Sequence, residues 1–204
     1  MTQPQTDFTD DQLLGHARRL SDEFSGRAAE FDLARKLGQD ASDAMAHAGF
    51  YRLFVPQYLG GLEASPLVSA QIFERLAQGN AACGWVAFIA ATSGSTLGSI
   101  PKDTARAIFN HPNTMIAGVF APAGKASVSN GEVTVSGRWQ WGSGTQNANW
   151  ILGGSLVEAG NSKPSQHMIL MPAEQIDFWD TWHVSGLQGT GSTDYEVSNL
   201  TLPD

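Results

Sequence analysis

The first half of the chain repeats apolar residues at helical intervals. Thr9-Asp10-Asp11 can cap a first helix, whose predicted buried face has apolar residues three to four positions apart. Further helices are predicted over 40–49, 66–77, 80–97 and 101–110. The helix over 80–97 is apolar almost all round, which predicts burial between its neighbours. The residues predicted to form the first helix face are Leu13, Ala17, Leu20, Phe24 and Ala28.

The second half changes to the two-residue alternation of β-strands. From residue 115 onward the chain contains five of its six tryptophans, and Ser129-Asn130-Gly131 supplies the turn of a hairpin. We therefore predict an α+β fold, with a helical domain over 1–114 and a β-sandwich or small barrel over 115–204. Strands are predicted over 115–122, 125–139, 149–158, 167–172 and 194–203.

Composition narrows the class of protein. The net charge is −8 and the 12 Lys and Arg are scattered, which argues against nucleic-acid binding. Cys83, the single cysteine, lies in an apolar run that predicts burial, and the five histidines have no spacing typical of a metal site. The polar, acidic N-terminus does not resemble a signal peptide, and we see no apolar stretch of the ~18 residues that a membrane span needs. These features predict a soluble cytoplasmic protein without a metal or a membrane partner.

Candidate chemistry concentrates in "RWQWGSGTQNANW", residues 138–150. If this stretch is extended, Trp139, Trp141 and Ser143 project to one face, while Gln140 and Gly142 project to the other. One interpretation is ordinary core packing of the tryptophans, with the serine in a turn. The other is that a planar heteroaromatic ligand lies against the indoles and bonds the serine hydroxyl. The pattern alone leaves both open.

Three segments resemble the acyl-CoA dehydrogenase superfamily. They are "AGFYRLFVPQYLGG" (48–61), "GRWQWGSGTQNANWILGG" (137–154) and "VSGLQGTGSTDYEVSNLTLP" (184–203). The Ser-Gly and Gly-Thr-Gly-Ser forms of the last two are most similar to the two-component flavin-dependent monooxygenases, which include aromatic hydroxylases and dibenzothiophene-type oxygenases. The resemblance covers most of the chain from residue 48.

This resemblance implies a cofactor, partners and a site. Enzymes of that branch take reduced flavin, usually FMN with FAD as the alternative, from a separate flavin reductase, and form a C4a-hydroperoxyflavin with O2. Ser143 matches the serine that bonds flavin N5 in the branch, which makes it the expected catalytic residue. The resemblance implies that Trp139 and Trp141 line the flavin ring. The full expected cofactor-binding set is Phe120, Ala121, Pro122, Trp139, Gln140, Trp141, Gly142 and Ser143.

The chain also departs from the family pattern. Members of the branch often carry a histidine about two helical turns after the tryptophan that matches Trp85, where this chain has Ser93. Both residues are expected in the substrate pocket, but a hydroxyl cannot replace imidazole as an acid or base at neutral pH. The resemblance implies a small aromatic or heteroaromatic substrate, while the missing histidine argues against hydroxylation of a phenol by that route.

Length is the larger departure. The family continues into a C-terminal four-helix bundle that completes the site and forms a homotetramer, whereas this sequence stops at Asp204. The bundle is absent from this sequence, which is either a fragment of a longer protein or a natural short form. We expect a homo-oligomer where the C-terminal bundle is present. Two alternatives stay open: an acyl-CoA dehydrogenase-like dehydrogenase or oxidase, and a non-catalytic truncated scaffold of the same fold.

Overall fold

The computed structural model describes residues 8–158 and 163–204, and it contains a helical part followed by a β part. The helices are α1 (Asp10–Ser25), α2 (Ala28–Ala34), α3 (Gln39–His47), α4 (Pro66–Gly79), α5 (Ala81–Gly94) and α6 (Lys102–Phe109). The strands are β1 (Ile116–Ser129), β2 (Glu132–Gly142), β3 (Trp150–Glu158), β4 (Ser165–Pro172), β5 (Asp177–Trp179) and β6 (Thr193–Pro203). The predicted α+β order is confirmed.

The start of α1 follows the predicted capping pattern. Thr9 Oγ1 accepts the backbone N–H of Gln12, and the Gln12 side chain accepts the backbone N–H of Thr9, which together form a capping box. The predicted face of α1 is buried as far as Phe24, but Ala28 is not part of this helix. A break at Gly26 ends α1, and Ala28 begins the short helix α2, which the sequence pattern did not predict.

Helix α5 is buried between other elements, as its uniformly apolar sequence predicted. It contacts α4 and the start of β1, and Cys83 on it is fully buried. Burial raises the pKa of the Cys83 thiol to about 12, so the thiol is protonated at neutral pH. We expected no apolar stretch as long as a membrane span, and this is wrong: Ala81–Ser99 is long and apolar enough to cross a membrane, judged by length and composition alone. However, 56% of that window is buried inside the protein, and a core helix passes the same test.

The six strands are joined by hydrogen bonds in one mixed sheet, in the order β4-β3-β1-β2-β6-β5. Strands β1 and β3 are parallel, and the other neighbouring pairs are antiparallel. The predicted hairpin joins β1 to β2, where Asn130 and Gly131 both have positive φ. Two predicted strands, 115–122 and the start of 125–139, form the single strand β1, whose register shifts between Val119 and Gly124. The three-residue strand β5 was not predicted.

The two parts of the chain share apolar contacts. Met115 and Ala117, at the start of β1, are buried in the core of the helical part. Ile116 and Leu152 pack with Phe109 of α6 in a smaller cluster. These contacts fix the position of the sheet relative to the helices. The division of the chain into two domains between residues 114 and 115 stays a prediction.

Candidate functional site

Ser143 lies immediately after β2, at the junction of the helical and β parts. Its backbone N–H donates to the carbonyl oxygen of Trp141 at 2.9 Å. The next residue, Gly144, has φ of 72° and donates its N–H to the carbonyl oxygen of Thr190 at 2.8 Å. Because the N–H groups of Ser143 and Gly144 are already bonded, a ligand here would meet the Ser143 hydroxyl rather than these two N–H groups.

Trp85 connects Ser143 to the helical part. Asn80 caps the start of α5 by accepting the N–H of Ala82, and Trp85 lies on the first turns of that helix. Its indole Nε1–H donates to Ser143 Oγ at 2.9 Å, while 43% of the side chain is exposed. The structure therefore brings together two expected site residues that are 58 positions apart.

Two further hydroxyls continue from Ser143 into the protein. Ser143 Oγ lies 2.7 Å from Ser192 Oγ, which lies 2.6 Å from Thr190 Oγ1. Thr190 Oγ1 in turn donates to the carbonyl oxygen of Leu187 at 2.8 Å. Ser192 is 3% exposed and Thr190 is 2% exposed, so this chain of hydroxyls, which we call the hydroxyl relay, is shielded from solvent. Sequence analysis did not assign either residue, because a glycine-rich turn needs no ligand to explain its hydroxyls.

Trp141 presents an aromatic surface beside Ser143. Its side chain is 70% exposed, and its φ of 63° is in the left-handed region, which bulky residues rarely adopt. The strand pairing shifts register between Trp139 and Gly142, so Trp141 lies in a bulge. Strained backbone of this kind is concentrated at binding and catalytic sites, which favours a functional role for the exposed indole.

The expectation that Trp139 shares the ligand-facing surface is wrong. Trp139 is fully buried, its Nε1–H donates to the carbonyl oxygen of Gly154 at 2.7 Å, and its ring stacks on Tyr195 with centroids 5.2 Å apart. The bulge breaks the two-residue alternation after Trp139, so Trp141 does not project to the same side. Core packing explains Trp139, and Trp141 is the exposed tryptophan of the motif.

Glycines make room for the buried indole. A Cβ atom built on Gly124 or Gly153 would lie 2.4 or 2.6 Å from the Trp139 ring, closer than real Cβ atoms approach other atoms. Gly137 is also restricted, because its Cβ would lie 2.9 Å from the same ring. These three residues form what we call the glycine cage of Trp139.

The remaining expected residues differ in accessibility. The side chain of Gln140 is exposed, whereas Gly142 is buried against the Tyr195 ring. Ser93 is 1% exposed and therefore does not line the surface that carries Trp85 and Ser143, which corrects the expected substrate-pocket position. Within the part of the chain that the structure describes, no group of three His, Cys, Asp or Glu side chains is placed to hold a metal ion. Phe120, Ala121 and Pro122 are exposed in the irregular part of β1, as is Ala123.

The fold and these motifs match known proteins. Residues 9–101 match the family model described as "Acyl-CoA dehydrogenase, N-terminal domain". Indole-3-acetate monooxygenase of Pseudomonas putida is 33% identical over 177 residues, which cover 86% of this chain and 45% of that protein. The oxygenase subunit HsaA of a flavin-dependent monooxygenase from Rhodococcus jostii is 31% identical over 180 residues, which cover 87% of this chain and 47% of that protein.

A solved structure has the same fold. The crystal structure of the HsaA monooxygenase from M. tuberculosis superposes with a TM-score of 0.88 at 28% identity, over 96% of this chain and 51% of that one. The match in sequence and in fold places the chain in the acyl-CoA dehydrogenase superfamily. Within the superfamily, it belongs to the branch of the flavin-dependent monooxygenases. The chain spans about half the length of the curated relatives it matches.

Proposed function

We propose that the protein acts in a flavin-dependent monooxygenase, which receives reduced flavin from a separate reductase and uses O2 to oxygenate a small aromatic substrate. The observation that carries the proposal is the hydrogen bond from the partly exposed Trp85 of α5 to the hydroxyl of Ser143, two residues after the exposed Trp141. The relatives named monooxygenase and oxygenase subunit support it. FMN is the proposed flavin and FAD the alternative, on the resemblance of the Ser-Gly segment.

The residues present fit a flavin ring. A flavin is planar and apolar on its faces, with polar atoms at its edge, and Trp141 offers a flat apolar surface next to a single neutral hydroxyl. When bound, reduced flavin supplies the two electrons that allow one oxygen atom to enter the substrate while the other leaves as water. Trp85 and Trp141 would exclude water from the ring, and Ser143 would orient its N5 edge.

The acid-base chemistry of the substrate requires groups other than these. Ser143, Trp85 and Trp141 do not titrate near neutral pH, so they can position and shield but not exchange a proton with a phenol as a base would. We therefore place flavin binding and water exclusion at this site, and propose that substrate deprotonation, where it is needed, is performed elsewhere in the enzyme. A cytoplasmic location and homo-oligomerisation stay predictions.

An anaerobic titration tests the proposal. The purified 204-residue chain is titrated with reduced FMN and reduced FAD, and binding is followed by quenching of tryptophan fluorescence. The complex is then mixed with O2 and a phenol or indole, and product and hydrogen peroxide are measured. We expect saturable binding and oxygenated product. Flavin reduction by an acyl-CoA without a reductase would instead identify a dehydrogenase, and the absence of flavin binding would contradict the proposal.

A further inference from the structure

The hydroxyl relay has a direction that its innermost bond determines. Thr190 Oγ1 lies 2.8 Å from the carbonyl oxygen of Leu187, and a carbonyl oxygen can only accept. The single hydroxyl hydrogen of Thr190 is therefore used, and Thr190 Oγ1 must accept from Ser192 across their 2.6 Å contact. The hydrogen of Ser192 is used in turn, so Ser192 Oγ accepts from Ser143 across 2.7 Å.

The outer end of the relay agrees with this direction. An indole Nε1–H is a donor only, so Trp85 gives its hydrogen to Ser143 Oγ. The oxygen of Ser143 thus accepts one bond from Trp85 and donates its own hydrogen to Ser192. Within residues 8–158 and 163–204, no donor faces its second lone pair. What Ser143 presents to a ligand is therefore an acceptor.

We propose that Ser192 and Thr190 fix the Ser143 hydroxyl as an acceptor, and that this orientation is what favours reduced over oxidised flavin at the site. This inference rests on the proposed function. Reduced flavin carries a hydrogen on N5 and can donate it to the free lone pair of Ser143, whereas oxidised flavin has an N5 lone pair that needs a donor. To bond the oxidised form, Ser143 must turn its hydrogen away from Ser192 and leave a buried oxygen without its donor. Ser192 and Thr190 are positioning residues, because they act on the ligand through Ser143.

The selectivity has a thermodynamic signature that does not depend on turnover. A site that binds reduced flavin more tightly than oxidised flavin raises the midpoint potential of the bound flavin relative to the free one. One hydrogen bond distinguishes the two forms. We therefore expect the relay to contribute a factor of about 2 to 10 to the dissociation constant of oxidised flavin divided by that of reduced flavin.

Two substitutions release the hydrogen of Ser143. Ser192→Ala removes its acceptor, and Thr190→Val frees the hydrogen of Ser192 to point back toward Ser143. Both should tighten binding of oxidised FMN and lower the ratio of dissociation constants by about 2- to 10-fold. Thr190→Ser retains the hydroxyl and should retain the ratio of the unaltered chain. Ser69→Ala, a buried serine on α4, controls for the loss of a buried hydroxyl elsewhere.

A flavin analogue tests the role of N5 itself. Oxidised 5-deaza-FMN carries C–H in place of the N5 lone pair, so a released Ser143 hydrogen has nothing to bond. We therefore expect Ser192→Ala to leave the dissociation constant of the analogue unchanged and to lower the dissociation constant of oxidised FMN.

The measurement is an anaerobic titration of each folded variant with reduced FMN, oxidised FMN and the deaza analogue, together with the midpoint potential of bound FMN. The relay is supported if the FMN ratio is smaller in Ser192→Ala and Thr190→Val and the dissociation constant of the oxidised analogue is unchanged. Unchanged ratios in both variants overturn it and leave the proposed function standing. Failure of the unaltered chain to bind either form overturns the proposed function, and this inference with it.

Discussion

Trp85 in α5 and Ser143 after β2 share a hydrogen bond of 2.9 Å, so the helical part and the sheet meet at the residue that the motif singled out. The bond makes the position of the serine hydroxyl depend on how α5 packs against the β part. A ligand at this hydroxyl therefore depends on the correct assembly of both.

We expect Ser143→Ala to weaken the binding of reduced FMN by about 2- to 10-fold, because it removes one neutral hydrogen-bond acceptor. The share of consumed O2 that is released as hydrogen peroxide should rise. Dissociation constants from fluorescence quenching and a peroxide assay check both. Ser95→Ala removes an exposed hydroxyl near the end of α5 and should change neither. Equal affinities for Ser143→Ala and the unaltered chain would argue against a role for this hydroxyl.

Trp141→Gly should separate binding from stability. Glycine adopts a φ of 63° without strain, so the free energy of unfolding should stay the same or rise, while flavin affinity falls with the loss of the exposed indole. Trp141→Ala is the matched variant that loses the indole but keeps the backbone strain. Urea unfolding and flavin titration measure the two effects. Strong destabilisation by glycine would show that the indole has a structural role.

Trp139→Phe should destabilise the fold by about 2–3 kcal/mol. The change removes buried volume and leaves the carbonyl oxygen of Gly154 without the indole donor. The same change at the exposed Trp141 should cost less than about 0.5 kcal/mol. The free energies of unfolding in urea give the comparison, and similar values for the two variants would contradict the assignment of Trp139 to the core.

Arg27 should contribute to stability in a pH-dependent way. Its guanidinium donates to Glu30 at 2.7 Å and to Asp40 at 2.7 Å, and these bonds lower the pKa of both carboxyl groups below their usual values. A lowered carboxyl pKa adds stability above the unfolded-state pKa and loses it as the pH falls through the folded-state pKa. Arg27→Gln should therefore be less stable near pH 6, with a deficit that shrinks as the pH falls through the lowered folded-state pKa values of the two carboxyl groups.

Urea midpoints across that pH range test this prediction. Arg19→Gln is the control, because it removes the same charge from an exposed pair in which the two side chains are 3.5 Å apart. A deficit in Arg27→Gln that stays constant with pH would show that the carboxyl groups do not gain from Arg27.

Arg52 should anchor the segment after α3 to the end of α6. It is 5% exposed and donates to the carbonyl oxygens of Phe109 at 2.8 Å and His111 at 2.6 Å. Burial lowers the pKa of Arg52 to about 10, which still leaves it charged at neutral pH. Arg52→Met should cost about 2–4 kcal/mol, since it removes the side-chain donor to the carbonyl oxygen of Phe109 and leaves the carbonyl oxygen of His111 with the Thr114 N–H as its donor.

The same substitution at Arg106 supplies the comparison. Arg106 makes one long bond of 3.5 Å, to the carbonyl oxygen of Tyr58, in an exposed setting. Arg106→Met should therefore change the free energy of unfolding by less than about 0.5 kcal/mol. A comparable loss for both arginines would argue against the anchoring role of Arg52.

Some of this structure was readable from the sequence and some was not. Thr9 and the apolar residues of α1 predicted a capped, half-buried helix, because both signals are local. The motif resemblance pointed to Ser143 and Trp85, which the structure joins by a hydrogen bond, while their role in flavin binding stays a prediction. The prediction for Trp139 failed because two-residue alternation assigns faces correctly only where a strand has no bulge. Tryptophan with a positive φ, as at Trp141, is not a residue type from which a bulge can be predicted. The relay through Ser192 depends on contacts between distant segments, which no local pattern encodes.

The glycine cage around Trp139 couples four positions by volume. A larger residue at Gly153 needs a smaller indole, whereas one at Gly124 or Gly137 also needs room from Ser155 Oγ at 2.3 Å or from Gly124 Cα at 2.6 Å. A smaller residue at 139 leaves a void unless a glycine becomes larger. Single substitutions at any of these positions should therefore be costly, while compensating pairs such as Trp139→Phe with Gly153→Ala should recover part of the loss. The strand core can change its composition only by concerted replacement, which makes these four positions an expected set of correlated changes among related sequences.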